Sequence, residues 1–290
     1  MQKISDQFHN SEVAQQYREF ERGTSIPGRR LLEKSGVFSQ PLPFEGLNIL
    51  DNACGTGVIT ALIKNEKHFE NVEITATDIS EAMLHILEGR IKEEGWNNVS
   101  TKVANAMDLK LPSNTFSHTL TNFCFMMVPE PVKAIQEAIR VTKPGGVIGF
   151  TTWNSLGWFP PANEAISRLP GPPPIQDPTR PSVRTGDWYS SEYVSKLLQS
   201  PPLSLEDVQV ELYPCKFKVD SAHKFAYGQY GQPMFINLMT MTWSEEQKKE
   251  LKEQLKESLE QVLVERYGTD SPFELDFVAV ICTGRKPTAN

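Results

Sequence analysis

Asp51, Gly55 and Gly57 are the first residues in this chain whose types and spacing can do chemistry. They sit in "LDNACGTGVIT", Leu50 to Thr60, directly after the apolar run "LNIL". A strand, a glycine loop and a helix start make a ligand platform. Glycine lets the backbone approach a ligand closely, and the first N–H groups of a helix have no partner in the helix. The dinucleotide fingerprint has a third glycine three residues after the second. Thr60 stands there instead. The Gly-Lys-Ser/Thr ending of a phosphate-binding loop is also missing. What remains is Asp-x-x-x-Gly-x-Gly, whose acid at the strand end suits a ligand carrying an amine or positive charge.

Three further marks follow. Asp78 ends the run "EITATD", where a carboxylate can accept both ribose hydroxyls through its two oxygens. Nicotinamide enzymes place an acid there too, so Asp78 alone does not discriminate. In "VANAMDLKLP", Asn105 can accept from an adenine amino group and the Ala106 N–H can donate to the ring. "RVTKPGG" places a Lys143–Gly146 turn between a helix and the next strand.

Other chemistries find little support. The four cysteines, Cys54, Cys124, Cys215 and Cys282, are far apart with no CxxC, and the histidines are equally scattered. No metal site is expected. Net charge is −7 with no basic stripe, which argues against a nucleic-acid partner. No apolar run approaches a membrane span, and "MQKISDQFHN" lacks the apolar centre of a signal peptide. A cytoplasmic protein with no membrane partner is expected, acting on a small, weakly charged molecule.

Short apolar runs must position these residues. "LNIL", "VEITATD", "VSTKVAN", "HTLTNFCF" and "GVIGFTTW" alternate with helical patterns, which implies α/β architecture and a mostly parallel sheet. Ser80 is the expected N-cap of the helix carrying Met83, Leu84, Leu87 and Ile91. Before Leu47, "SEVAQQYREFERGTSIPGRRLLEKSG" reads as one or two helices broken near Pro27, able to fold over the ligand edge. After Trp153 a proline-rich stretch reads as a connecting or lid segment. "LEDVQVELYPCKFKV" and "FELDFVAVICTGRKP" read as strands. Between them, Ser244 to Tyr267 is a helix with a "SEEQ" capping box, stopped by Gly268.

In this order and spacing, the four marks resemble class I S-adenosylmethionine-dependent methyltransferases, over about Leu47 to Trp153. The resemblance implies a Rossmann-like seven-stranded sheet of order 3-2-1-4-5-7-6, with helices on both faces and strand seven antiparallel. It implies one domain over 1–290: an N-terminal helical cap at 1–40, a donor-binding core at 41–153, and lid and acceptor-side insertions with the last two strands at 154–290. It implies S-adenosylmethionine as cofactor. Asp51, Ala53, Gly55 and Gly57 would line its methionine end, with Tyr17 closing over the carboxylate. Asp78 would hold the ribose, and Ile79 and Met83 would pack on adenine. Asn105, Ala106 and Met107 would contact the base, and Asn122 and Phe123 would border the methyl group.

A second likeness runs almost end to end. "LDNACGTG", "EEGWNN", "MTWSEEQKKE" and "FVAVICTGRKP" are similar to the fungal secondary-metabolism methyltransferases that include the gliotoxin bis-thiomethyltransferase. It makes S-methylation of a thiol or dithiol, such as a reduced epidithiodiketopiperazine, the leading expectation. O-, N- or C-methylation of another fungal metabolite is the alternative, and a regulatory or pericyclase-like relative that does not methylate is a third class.

Methyl transfer asks mainly for alignment of donor and nucleophile. A thiol, with a pKa near 8.5, needs little help from a base. His223 and Tyr227 are the base candidates in the sequence, with His9 behind them; each histidine also reads simply as a surface or packed residue. Trp153, Trp158, Tyr227, Tyr230 and Phe235 are candidates to wall an acceptor pocket, and are equally ordinary core residues. Cys54 reads as a small residue that fits the loop. The Ser244 helix reads as structural or as a dimer face, so monomer and homodimer both stay open.

Overall fold

Alternating apolar runs become strands, and the central ones are buried on both faces by flanking helices, as in Phe116–Asn122, where all but the last residue are buried. The computed structural model describes residues 11–39, 46–171, 186–227, 239–240, 243–268 and 271–288, with the side chains of residues 11–17, 19 and 20 outside that description. The elements are α1 (Ser11–Lys34), β1 (Asn48–Asn52), α2 (Val58–Lys64), β2 (Glu73–Asp78), α3 (Glu81–Glu94), β3 (Val99–Val103), β4 (Phe116–Asn122), α4 (Pro131–Val141) and β5 (Thr142–Ser155). Then come α5 (Phe159–Ser167), α6 (Ser191–Gln199), β6 (Glu206–Val219), α7 (Ala222–Tyr227), α8 (Glu245–Tyr267) and β7 (Phe273–Arg285).

The seven strands form one sheet of order β3-β2-β1-β4-β5-β7-β6. β1 to β5 pair in parallel, and β7 runs antiparallel to both neighbours. This is the order expected from the sequence. Side-chain alternation sorts the two faces: Ile49 joins Leu31, Leu32, Ile59 and Ile63 of α1 and α2. Leu50 points the other way, toward Val141 at the end of α4. A third core forms where Leu251, Leu255, Leu259, Val262 and Leu263 of α8 meet Trp158, Phe217 and Phe225.

Local chemistry fixes the helix ends. Ser80 Oγ accepts the Met83 N–H at 3.2 Å, capping α3. In α8 the capping box is complete: Ser244 Oγ accepts from Gln247 N at 3.2 Å, Gln247 Oε1 accepts from Ser244 N at 2.8 Å, and Gly268 closes the helix.

Two local expectations change. α1 runs unbroken through Pro27. A proline inside a helix costs roughly 3 kcal/mol, but both halves of α1 are anchored. Glu21 on one side bonds Thr56 and Arg90, and Arg30 on the other forks onto both Glu211 oxygens at 3.0–3.3 Å. The Lys143–Gly146 turn also lies inside the span of β5. Thr142 pairs with Phe116 and Val147 with His118, so the four residues bulge out opposite Ser117. Gly145 takes φ +72° there, and its N–H donates to the Lys286 carbonyl at 2.9 Å.

Candidate active site

The ligand edge of an open α/β sheet lies at the carboxyl ends of the strands, where the connections turn to opposite sides. Here that point is between β1, which leads out to β2, and β4, which leads to β5. Both strands end in a non-glycine residue with left-handed φ: Ala53 at +53° and Phe123 at +55°. Such conformations are costly for L-residues and persist where the surroundings enforce them. For Phe123 the enforcing contacts are clear. Its N–H donates to Thr151 Oγ1 at 2.9 Å, Thr151 donates on to Asn122 Oδ1 at 2.7 Å, and its ring stacks on Trp153 at 4.1 Å.

Asp51 is buried near the end of β1. Its Oδ2 accepts the backbone N–H of Thr60 at 3.0 Å and the Thr60 hydroxyl at 2.7 Å. The residue that replaces the third glycine of a dinucleotide fingerprint is therefore the partner that holds the acid. Asp51 Oδ1 is buried and has no hydrogen-bond partner among the described residues. Burial pushes the carboxyl up to about 6; the two Thr60 bonds oppose this, and the charges of Asp78 and Glu21 add to it.

Asp78 ties the strand tips together. Its Oδ2 accepts the Gly55 N–H and its Oδ1 the Ser80 N–H, both at 2.9 Å, while its carbonyl accepts from Ala104 N at 2.9 Å. Beside it, Ile79 and Val103 are 48% and 49% exposed. Val103 pairs directly with Asp78 across the sheet. Met83, at 2% exposed, is packed beneath, so Ile79 and Val103 are the apolar surface a flat ring would meet. Val103 was missed in the sequence, although its place at the end of "VSTKV", beside the strand ending in Asp78, was the available signal.

The remaining expected residues divide. Asn105 Oδ1 accepts the Met107 N–H at 2.9 Å, so it shapes the loop after β3, and Ala106 is buried within that loop. Asn122 Nδ2 donates to the Thr24 carbonyl of α1 at 3.3 Å, placing α1 across the ligand edge. Trp158 is 2% exposed and sits in the core under α5 as a packing residue. Tyr227 lies against α8, with Lys256 Nζ 5.9 Å from its ring. His223 stacks on Tyr227 and bonds Glu260 at 3.0 Å, its side chain 59% exposed. Neither is brought to the glycine loop by these contacts. His9, Tyr230, Phe235 and the Tyr17 side chain lie outside the described residues.

The cysteines read as packing residues. Burial, the largest cause, and the charges of Asp51 and Asp78 hold the Cys54 thiol well above its ordinary value. Burial likewise takes Cys124 up to about 12 and Cys215 up to about 11.

Comparison with known proteins agrees with this geometry. A family model described as "Methyltransferase domain" matches residues 49–146, from β1 into β5. Methyltransferase tpcH of Aspergillus fumigatus is 28% identical over 97% of this chain and 98% of its own. The acetylaranotin bis-thiomethyltransferase of Aspergillus terreus is 28% identical over 99% of this chain and 98% of its own. Among solved structures, phosphoethanolamine N-methyltransferase 2 of Haemonchus contortus, in complex with S-adenosyl-L-methionine, has a TM-score of 0.50 at 17% identity, covering 90% of this chain and 52% of that one.

Residues 49–146 are a methyltransferase domain, and the chain is a methyltransferase enzyme. The methyl donor of such an enzyme is S-adenosylmethionine. Two features of this methyltransferase suit that group. The buried Asp51 Oδ1, without a hydrogen-bond partner among the described residues, suits a donor such as an ammonium. The exposed Ile79 and Val103 flank a carboxylate, as an aromatic base next to a diol requires. Among the described residues no helix is long and apolar enough to cross a membrane, and no cluster of three or more metal-ligating side chains is present.

Proposed function

We propose that this methyltransferase transfers methyl groups from S-adenosylmethionine to thiols of a small secondary metabolite, a reduced epidithiodiketopiperazine being the leading acceptor class. One observation supports the acceptor class. The family model stops at residue 146, whereas the likeness to the acetylaranotin bis-thiomethyltransferase spans 99% of the chain. The similarity therefore includes α1 and everything after β5, the elements outside the donor core.

In this reading Asp51 Oδ1 accepts from the donor's ammonium, and the backbone at Ala53, Gly55 and Gly57 lies along its methionine part. Asp78 accepts the ribose hydroxyls. Ile79 and Val103 face the adenine, with the loop of Asn105, Ala106 and Met107 beside it. The backbone at Asn122 and Phe123 borders the methyl group, and the half-buried Trp153, stacked on Phe123, is the apolar wall the acceptor meets. S-adenosylmethionine, when bound, supplies a methyl group on a positively charged sulfur. The acceptor thiolate forms the new S–C bond as the sulfonium S–C bond breaks. The thiol proton leaves to solvent beforehand, so the chain need only align the partners and keep the acceptor sulfur accessible. The thiols of Cys54 and Cys124, both held well above their ordinary pKa, stay protonated and do not compete as nucleophiles.

The test is mass spectrometry of purified protein incubated with S-adenosylmethionine and a panel of acceptors: a reduced diketopiperazine dithiol, aryl thiols, phenols and amines. Successive methyl-sized gains on the dithiol support the reading. Gains on phenols or amines alone would keep the donor site and overturn the acceptor.

A further inference from the structure

The glycine loop is held from behind by side chains outside the donor contacts assigned above. Arg90 on α3 donates from Nη1 to the Thr56 carbonyl at 2.8 Å and to the two Glu21 oxygens at 2.8 and 3.0 Å. The Thr56 hydroxyl donates to Glu21 Oε1. Glu21 belongs to α1 and Thr56 to the loop, so three elements distant in sequence meet in one ion pair. Its side chains are only 14% and 11% exposed.

A buried ion pair seldom adds stability over apolar packing of the same volume, because both charges lose their hydration. What it adds is direction, since a guanidinium presents its donors in a fixed plane. Here the direction falls on one peptide. Thr56 stands between the two glycines of the loop. Gly55 is bonded to Asp78, and Gly57, at φ +88°, is packed so closely on Leu87 that a Cβ would overlap it. With both flanks fixed, the Thr56 carbonyl and hydroxyl are the remaining handles on the loop, and Arg90 and Glu21 hold both.

We propose that Glu21 and Arg90 are positioning residues for the methyl donor. They clamp the Thr56 peptide in the form that receives the donor, and they couple that form to the docking of α1. The inference rests on the reading of the glycine loop as the donor site. α1 also reaches the methyl end, through the Thr24 carbonyl on Asn122. Donor binding and helix docking then strengthen each other equally, because coupling between two binding events is reciprocal.

The experiment is calorimetric titration of S-adenosylmethionine into the wild type, Thr56→Val and Thr56→Ser, with hydrogen exchange of residues 21–34 measured with and without donor. Valine keeps the shape and loses the hydroxyl, while serine keeps the hydroxyl. The expected result is donor affinity about ten-fold weaker in Thr56→Val, equivalent to about 1.4 kcal/mol, and within about two-fold of wild type in Thr56→Ser. Donor should slow exchange in α1 of the wild type and Thr56→Ser, and much less in Thr56→Val. Glu21→Gln, which keeps one acceptor and loses the charge, is the second variant and should weaken donor binding in the same direction. Wild-type affinity in both Thr56→Val and Glu21→Gln, or equal loss in Thr56→Val and Thr56→Ser, would overturn the clamp and leave the donor site standing. A wild type that binds no donor would overturn the donor-site reading, and the clamp with it.

Discussion

Replacing Asp51 by asparagine separates the cost of burying this acid from its use. In the folded protein its carboxyl sits at about 6, against 3.8 for the ordinary group. A raised carboxyl pKa means that the fold favours the protonated form. Its contribution to stability is complete below the ordinary value and is lost as pH rises through about 6. With about 1.36 kcal/mol per pKa unit, the charge costs the ligand-free protein roughly 3 kcal/mol at pH 8 and roughly 1.6 kcal/mol at pH 5. Asparagine removes that cost at both values. It leaves an unpartnered Nδ2 in place of Oδ1, but this penalty does not depend on pH and cancels in the difference. The stability of Asp51→Asn relative to wild type should therefore rise by about 1.4 kcal/mol between pH 5 and pH 8, or about 2–3 °C in melting temperature for a chain of this size. Thermal melts of both proteins without ligand, at the two pH values, read this directly. The same variant should bind S-adenosylmethionine more weakly, because the acceptor for the ammonium is gone. A difference in melting temperature that stays constant from pH 5 to pH 8 would refute the buried charge. Unchanged donor affinity would refute its pairing with the ammonium.

Gly57→Ala should destabilise the protein by about 2–4 kcal/mol, seen in chemical denaturation, because the new Cβ meets Leu87 and the φ of +88° is left-handed. At pH 8, Cys124 in the native protein should alkylate at least about a thousand times more slowly than in the unfolded chain, since a thiol at about 12 is almost wholly protonated. His223→Ala should leave turnover within about two-fold of wild type, because the ring pairs with Glu260 on the outer side of α8. A large loss would return the histidine to the site as a base.

The parts of this protein that were legible in the sequence are those set by neighbours in the chain. The capping box at Ser244 and the Ser80 cap are short-range hydrogen bonds, and both form as the residue types imply. The alternation of apolar runs and helical patterns carried the mostly parallel sheet, because parallel strands need crossovers of that kind, while the strand order came from the family resemblance. The Asp51–Gly55–Gly57 spacing placed the glycine loop between β1 and α2. What stayed hidden depends on contacts between distant residues. Nothing local shows that Glu21 meets Arg90 across 69 positions, or that Pro27 is overridden by anchors on both sides of it. The left-handed turn at Phe123 is enforced by its surroundings rather than by residue type. Met83 and Trp158 looked available for ligands because apolar spacing does not distinguish a core residue from a pocket wall; burial decides that.

The most direct test of the central claim, that the edge between β1 and β4 is a methyl-donor site, is calorimetric titration of S-adenosylmethionine into the wild type and Asp78→Asn. Circular dichroism would confirm that the variant is folded. Asparagine keeps one acceptor oxygen and loses the charge that receives the two ribose hydroxyls. Charged hydrogen bonds contribute about 1.5–3 kcal/mol each, so one lost bond predicts affinity weaker by about ten- to a hundred-fold. Binding by the wild type with a loss in that range is the predicted result. Equal binding by the two proteins, or no binding by the wild type, would contradict it.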